Sequence, residues 1–204
     1  MKGRFIFLFA MMAFVQSWAQ YDHTPNAVAK QLNDQAVGIY IKHNSSPDSV
    51  AVAIRLLDRA VSADSLYYSA WTNKLGYECQ IKKYDAAVKT TDNIIRIFPK
   101  MNDILFFRGI LQFKIRHDKE AKATFEALIK TYDSAPVIKK NNEDLKTDVI
   151  NKAIALKLIG KTEEGNTILR KLAVGEHDPA IKKYVESYIT YSKENIIEQM
   201  VPGN

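Results

Sequence analysis

The sequence predicts an all-α protein in which helical hairpins stack into an α-solenoid. Eight glycines and six prolines in 204 residues are too few for a chain of many tight β-turns. Amphipathic segments with apolar residues three and four apart come in pairs, separated by short polar turns. The pattern returns every 34 residues, and such a period is typical of repeat proteins. One hairpin cannot bury its apolar stripe, whereas stacked hairpins can.

The first nineteen residues have the layout of a secretory signal peptide. Lys2 and Arg4 form a basic start, residues 5–15 are an unbroken apolar run of eleven, and Ser17-Trp18-Ala19 places small residues before Gln20. The run is too short for a stable membrane span, although an uncleaved anchor is the alternative. We therefore expect cleavage after Ala19, export to the periplasm or the exterior, and no stable membrane span in the mature chain.

The composition excludes several classes of protein. Apolar residues make up 47% and charged residues 25%, a globular balance rather than a disordered one. Loss of residues 1–19 lowers the net charge from +6 to +4, and the remaining Lys and Arg are scattered among acids, so no nucleic-acid partner is expected. The lone Cys79 cannot form an internal disulfide, and we expect it to be buried as a small hydrophobe.

Three windows of the mature chain, residues 48–64, 82–98 and 116–132, share one register. A second amphipathic segment precedes each window, at residues 32–43, 69–81 and 104–115, so each unit is predicted to be a helix–turn–helix hairpin. The shared columns are Ala53, Ala87 and Ala121; Leu57, Thr91 and Phe125; Ala60, Ile94 and Leu128; and Val61, Ile95 and Ile129.

The second unit resembles a tetratricopeptide repeat (TPR). It carries that family's Trp, Leu-Gly, Tyr, Ala and Pro in order, at Trp71, Leu75-Gly76, Tyr84, Ala87 and Pro99. The third unit has Gly109, Ala121 and Phe125 in the equivalent places, and the first unit is weaker and lacks the proline. The Leu-Gly pair lies one residue nearer the alanine than in the family, which suggests a turn one residue short. The resemblance implies a right-handed α-solenoid whose concave face is lined by the first helix of each hairpin.

The register divides the mature chain into a lead-in at residues 20–33, about four TPR-like hairpins at residues 34–178, and a capping helix at residues 179–199. The fourth hairpin has Gly165 in the small-residue column, after an insertion of ten residues. We expect the insertion to form a loop at residues 131–144, a polar stretch that contains Pro136. Asp178-Pro179 predicts the start of the last helix.

Catalytic and metal-binding motifs are not found in the sequence. The four histidines are isolated near turns or helix ends, and no metalloprotease, phosphate-loop or serine-hydrolase motif occurs. The run His117-Asp118-Lys119-Glu120 is interpreted as a turn and the first residues of a helix, where acids are favoured. The prediction is a protein that is not an enzyme, with no catalytic residue, metal or cofactor.

The resemblance implies that the inner face of each first helix lines a groove for a protein or peptide partner. The register places these candidate binding residues at Asn73, Tyr77, Gln80, Phe106, Ile110, Phe113 and Lys114. Such a surface suits an extended peptide or a partner helix. The alternative is that Phe106 and Phe113 pack inward. Asn73 is similar to one member of the family's carboxylate clamp, but its companions are not recognisable, so no clamp is predicted.

Three Asp-Ser pairs, which place Ser49, Ser65 and Ser134 near predicted turns, have two interpretations. They match a short signal for O-glycosylation in some bacterial periplasmic systems, and they also suit helix caps and turns, which is the interpretation we favour because Asp and Ser are expected there.

The predicted function is that of an exported scaffold that binds a partner through its concave face. Two alternatives are a structural or assembly subunit of an envelope complex, and an accessory protein that presents the substrate of a partner enzyme. A fold does not fix a function, so the sequence leaves the partner's identity open.

Overall fold

The computed structural model describes residues 23–134 and 142–201, and all the regular structure in these ranges is helical. The all-α class is therefore confirmed, while the predicted signal peptide lies outside the described residues. In chain order the helices are α1 (Ala27–His43), α2 (Pro47–Ala63), α3 (Tyr68–Gln80), α4 (Tyr84–Ile97), α5 (Asn102–Lys114), α6 (Asp118–Ser134), α7 (Asn142–Leu158), α8 (Thr162–Gly175), α9 (Pro179–Thr190) and α10 (Lys193–Met200). The chain forms two compact units, and the division falls within α5, between Ile104 and Leu105.

Unit 1 contains α1 to α4, in which each helix packs on the next. The Asn26 side chain caps α1 by accepting the Ala29 N–H at 2.8 Å, and Ser46 caps α2, which starts with proline. The Trp71 indole N–H donates to the Ser65 carbonyl at 2.9 Å, which joins α3 to the turn before it. Fully buried residues of this core include Ala36, Val50, Ala53, Leu57, Ala60, Ala70, Ala87 and Ile94. Cys79 is buried among them, as predicted.

Unit 2 contains most of α5 and the helices α6 to α10. Within it α7 packs against both α6 and α8, α9 packs on α8, and α10 contacts α7. Fully buried side chains of its core include Ile110, Leu111, Phe125, Leu128, Ile154, Leu158, Leu169 and Ile196. Gly109 and Gly165 lie where two helices approach closely: a Cβ atom on Gly109 would meet the Phe125 ring at 2.6 Å, and one on Gly165 would meet the carbonyl of Ala153.

Three hairpins share the same turn geometry. Lys82, Arg116 and Gly160 have φ values of 59°, 65° and 96°, and they lie 34 and 44 residues apart. In each turn the next N–H donates at 2.8 Å to the carbonyl five residues back, which is the six-to-one bond of a Schellman helix end. The backbone turns therefore recur at the same spacings as the side-chain columns of the repeat. The last spacing is longer by the ten inserted residues.

The structure corrects four boundaries. Residues 27–33 of the predicted lead-in belong to α1, and both ends of the predicted loop at residues 131–144 are helical, since α6 ends at Ser134 and α7 begins at Asn142. The predicted capping helix is two helices, because α9 ends at Thr190 and Ser192 caps the start of α10. The turn after α3 is as long as the turn after α5, so Leu75, not Gly76, corresponds to Gly109.

Candidate partner-binding surfaces

In unit 1, the three candidate binding residues of α3 contact α1. The Asn73 amide donates to Oδ1 of the buried Asn33 at 2.9 Å. The Tyr77 ring stacks on Tyr40, with ring centroids 4.0 Å apart and planes 7° apart. Gln80 accepts a hydrogen bond from the Tyr40 hydroxyl at 2.6 Å. These side chains therefore join two neighbouring helices.

The exposed residues at this contact between α3 and α1 lie near the C-terminal end of α1. Tyr77 is only 4% exposed, and its burial, with Tyr40 beside it, raises the pKa of its hydroxyl well above the usual range. Gln80 is exposed and its amide donates to the Asn44 carbonyl at 3.0 Å. A partner that contacts this face without rearranging it therefore reaches Gln80, Asn44 and the half-buried Tyr40, and does not reach Tyr77.

In unit 2, the apolar candidates of α5 are interior residues. Phe106 and Phe113 flank Phe125 of α6, at centroid distances of 5.4 Å and 5.8 Å. Phe106 is 6% exposed, Phe113 3% and Ile110 fully buried. The inward packing of Phe106 and Phe113 that the sequence left as the alternative is what the structure has. The absence of a Cβ on Gly109 gives the Phe125 ring its place between them.

The C-terminal helix α10 lies over the end of α5. Lys114 pairs with Glu198 of α10 at 2.7 Å. Lys193, the first residue of α10, sits over the Phe113 ring at 3.5 Å from its centroid, and its ammonium is 3.6 Å from Asp118. Two candidate binding residues of α5 are thus already engaged by a helix of the same chain.

The second helical hairpin, α3 and α4, contains a buried polar chain of three side chains. Lys74 donates to the Thr90 hydroxyl at 2.9 Å, and Thr90 donates to Glu78 at 2.7 Å. Lys74 also pairs directly with Glu78 at 3.0 Å and with Asp58 at 3.3 Å. Burial raises the pKa of Glu78, and the charge of Lys74 opposes that rise.

The next hairpin, α5 and α6, repeats this chain 34 residues later with one charge fewer. Arg108 donates to the Thr124 hydroxyl at 3.0 Å, and Thr124 donates to Gln112 at 2.8 Å. Thr124 and Gln112 are both buried. Each chain joins the two helices of one hairpin, so these residues hold the hairpins together.

A pocket of about 340 Å³ lies beside the junction of α9 and α10. Its lining residues are Lys122, Lys157, Leu158, Ile159, Gly160, Thr162, Tyr191, Ser192 and Lys193. Lys157 is buried, which lowers the pKa of its ammonium, and this group donates to Asn166 and to the carbonyls of Tyr188 and Ile189 at 2.6 to 2.8 Å. Lys157 therefore satisfies the last carbonyls of α9 and anchors that helix.

The Asp-Ser pairs make local bonds of several kinds. The cap of α2 is Ser46, whose hydroxyl accepts the Ser49 N–H at 3.3 Å. Asp64 accepts the Leu66 N–H at 3.1 Å in a turn, and Ser134 donates to a carbonyl of its own helix. Turn and helix-end bonding thus occurs at all three places, and the side chains of Ser65 and Ser134 are exposed.

Sequence reasoning missed α10 and the α1 side chains that complete these surfaces. The apolar stripe of residues 181–196 runs through the break, so a single helix was expected. Ser192-Lys193-Glu194-Asn195 forms a reciprocal capping box, in which Ser192 and Asn195 bond each other's N–H groups. A Ser followed three residues later by a polar side chain marks a helix start, and this local signal predicts the break.

No helix in the described ranges is long and apolar enough to cross a membrane. The same residues contain no group of three or more His, Cys, Asp or Glu side chains placed to hold a metal ion. Comparisons with protein-family profiles, with curated protein sequences and with solved structures return no match for this chain. The function is therefore argued from the chain's own geometry.

Proposed function

We propose that this chain is an exported TPR-like scaffold that binds a protein or peptide partner through the inner face of its hairpins. The fold proposed is a right-handed α-solenoid of about four hairpins. Its support is the common register of Lys82, Arg116 and Gly160 in the turns, the close approach at Gly109 and Gly165, and the TPR resemblance around Trp71.

One observation carries the binding proposal. Phe113 and Lys114, both candidate binding residues, contact the charged side chains of the amphipathic helix α10. The face at the end of α5 therefore has the complementarity that a helical ligand needs: an apolar, aromatic floor and a cation at its edge. A partner helix is the ligand that this chemistry favours.

Export is the second part of the proposal, and its support is the layout of residues 1–19. Intact-mass measurement of the protein recovered from its own source tests it. A chain that begins at Gln20 is the expected result, and a chain that retains residues 1–19 would contradict it.

The binding proposal is tested by capture of partners from the envelope fraction of the same source. Mature protein is immobilised as the native sequence, as Lys114→Glu and as Lys119→Glu, the last being a matched charge reversal at an exposed position of α6. We expect at least one protein whose captured amount falls several-fold with Lys114→Glu and is unchanged with Lys119→Glu. Equal capture by all three chains would contradict the use of this face.

The burial of Tyr77, Phe106, Ile110 and Phe113 favours a second candidate, a structural subunit of an envelope complex. In that case the inner face is filled by the protein's own packing, and other surfaces form the assembly. A stoichiometric complex isolated with the native chain, and equally with Lys114→Glu, would support this function over ligand binding. If that complex contains an enzyme, the result would support the other alternative, an accessory role to a partner enzyme.

A further inference from the structure

We infer that α10 is a displaceable occupant of the face at the end of α5, and that a partner's amphipathic helix takes its place. The partner helix has an aliphatic anchor and a carboxylate two residues later, as Ile196 and Glu198 are placed in α10. This inference rests on the proposed function, since it names the ligand of the same site. The face consists of Phe113, Lys114 and Asp118, together with the part of α7 that α10 contacts.

The helix α10 is held by one fully buried side chain and by charged contacts. Ile196 is fully buried, and Val201, directly after the helix, is 1% exposed. In the ion pair of Glu198 with Lys114 the Glu198 side chain is 54% exposed and the Lys114 side chain 15%, and a pair with one partner in solvent stabilises modestly. Within the helix Ile196 is the buried side chain, Ile197 and Met200 are half-buried, and Lys193 and Glu198 make charged contacts, a pattern that suits recognition of a helix.

The preceding helix α9 is held differently. Its Val185 is fully buried and its Tyr188 is 4% exposed. The buried Lys157 donates to the α9 carbonyls of Tyr188 and Ile189. Release of α9 would leave the buried Lys157 ammonium without these carbonyls, whereas release of α10 would open Lys114, which is 15% exposed with its partner in place, to water. Mobility of the C-terminus is therefore expected to begin after α9.

The junction between the two helices is suited to movement. Tyr191 and Ser192 separate them, and Ser192 starts α10 with its own capping box. The eight residues of α10 are too few to form a stable helix alone, so its folding depends on the face it covers. The pocket of about 340 Å³ adjoins the junction and is lined by Lys122 and Lys157. Of these two, Lys122 is exposed and remains accessible when α10 leaves, which favours a partner helix with acidic side chains.

Covalent attachment makes α10 a strong competitor. A ligand held by a short linker acts at an effective concentration in the millimolar range. A free peptide of the same sequence therefore binds the native chain poorly, and binds well once α10 has been released. This difference can be measured on the full-length mature protein.

The experiment uses a fluorescent peptide of residues 191–201 and three mature full-length chains: native, Ile196→Asp and Asn195→Asp. Ile196→Asp places a charge in the buried anchor position and releases α10. Asn195→Asp adds the same charge at an exposed position and keeps an oxygen for the capping box, so it is the matched control. Fluorescence anisotropy is expected to give a Kd at least 10-fold lower for Ile196→Asp than for the other two chains.

Charge complementarity is tested by a swap in the same assay. A peptide with Glu198→Lys is expected to bind the Ile196→Asp chain several-fold more weakly, and to regain affinity when that chain also carries Lys114→Glu. Equal binding of both peptides to both chains would overturn the assigned orientation of the partner helix.

Amide hydrogen exchange of the native protein requires no substitution, so misfolding of a variant cannot affect the result. The bonded amides of residues 196–201 are expected to exchange at least 10-fold faster than the bonded amides of residues 183–190. Equal protection of the two helices would overturn the inference, as would failure of the peptide to bind a folded Ile196→Asp chain. Peptide binding without any envelope partner would instead contradict the proposed function and leave the displaceable helix standing.

Discussion

Glu78 and Gln112 lie 34 residues apart, and each accepts a hydrogen bond from a buried threonine, Thr90 at 2.7 Å and Thr124 at 2.8 Å. The two hairpins thus have the same hydrogen bond from a buried threonine, with a charged acceptor in one hairpin and a neutral acceptor in the other. The neutral version shows that the geometry does not need a carboxylate. This comparison within one chain leads to the first prediction.

Glu78→Gln is expected to change the free energy of unfolding by no more than about 1 kcal/mol, because the amide oxygen still accepts from Thr90. Glu78→Ala is expected to cost about 3 kcal/mol, since it removes the acceptor oxygen that Gln keeps and leaves both the buried Thr90 hydroxyl and Lys74 without it. Chemical denaturation of both variants measures the difference. Equal losses would show that the charge, rather than the acceptor, is what the hairpin needs.

Glu176 is expected to make the protein sensitive to acid. Lys146 and the N–H groups of Asp178 and His177 bond its carboxylate and lower its pKa to about 2, from the usual 4.5. Because the folded pKa is the lower one, this stabilisation is fully present above pH 4.5 and is lost as the pH falls toward 2.

The measurement is the pH dependence of unfolding for the native chain and for Glu176→Gln, which keeps an acceptor oxygen but does not titrate. The stability of the native chain is expected to fall relative to that of the variant between pH 4.5 and 2. Parallel curves over this range would rule out Glu176 as the source.

Ala87→Leu is expected to destabilise unit 1 by roughly 1–3 kcal/mol, because the added methylenes overpack a fully buried site. The matched control is Ala86→Leu, one position round the helix and half-buried. Thermal melts compare the two variants. Equal melting temperatures would mean that Ala87 is not at the close contact that the repeat register assigns to it.

The three turn residues with positive φ are expected to respond in opposite directions to glycine and alanine. Lys82→Gly and Arg116→Gly each relieve a left-handed conformation and are expected to stabilise by about 1 kcal/mol or less. Gly160→Ala introduces the same strain and is expected to destabilise by about 1 kcal/mol. Denaturation midpoints of the three variants test this, and a loss of stability with Lys82→Gly would contradict it.

The repeat register was predictable from the sequence because small residues recur, at the spacing of the repeat, at the positions where two helices pack closely. Ala87 and Ala121 are fully buried, and Gly165 lies against the carbonyl of Ala153. The start of α9 at Asp178 was predictable for a similar reason, since an N-cap bonds only its near neighbours, here the N–H groups of Ala180 and Ile181.

The exposure of the candidate binding residues was not predictable in the same way. Tyr77 is covered by a ring 37 positions earlier in the chain, Tyr40, and Lys114 meets a carboxylate 84 positions later, at Glu198. Neither partner belongs to the repeat pattern of the helix it covers. Helix phase fixes which side chains share a face, but remote segments decide whether that face is open.

Trp71 gives the mature protein a natural optical probe. The sequence has two tryptophans, and the other, Trp18, lies in the segment expected to be cleaved. The Trp71 indole is 7% exposed and belongs to unit 1, so its emission is expected to shift to longer wavelength when unit 1 opens. Far-ultraviolet circular dichroism follows the helices of both units. Coincident transitions by the two signals would mean that the units melt together, whereas separate transitions would give each unit its own stability without any label being attached.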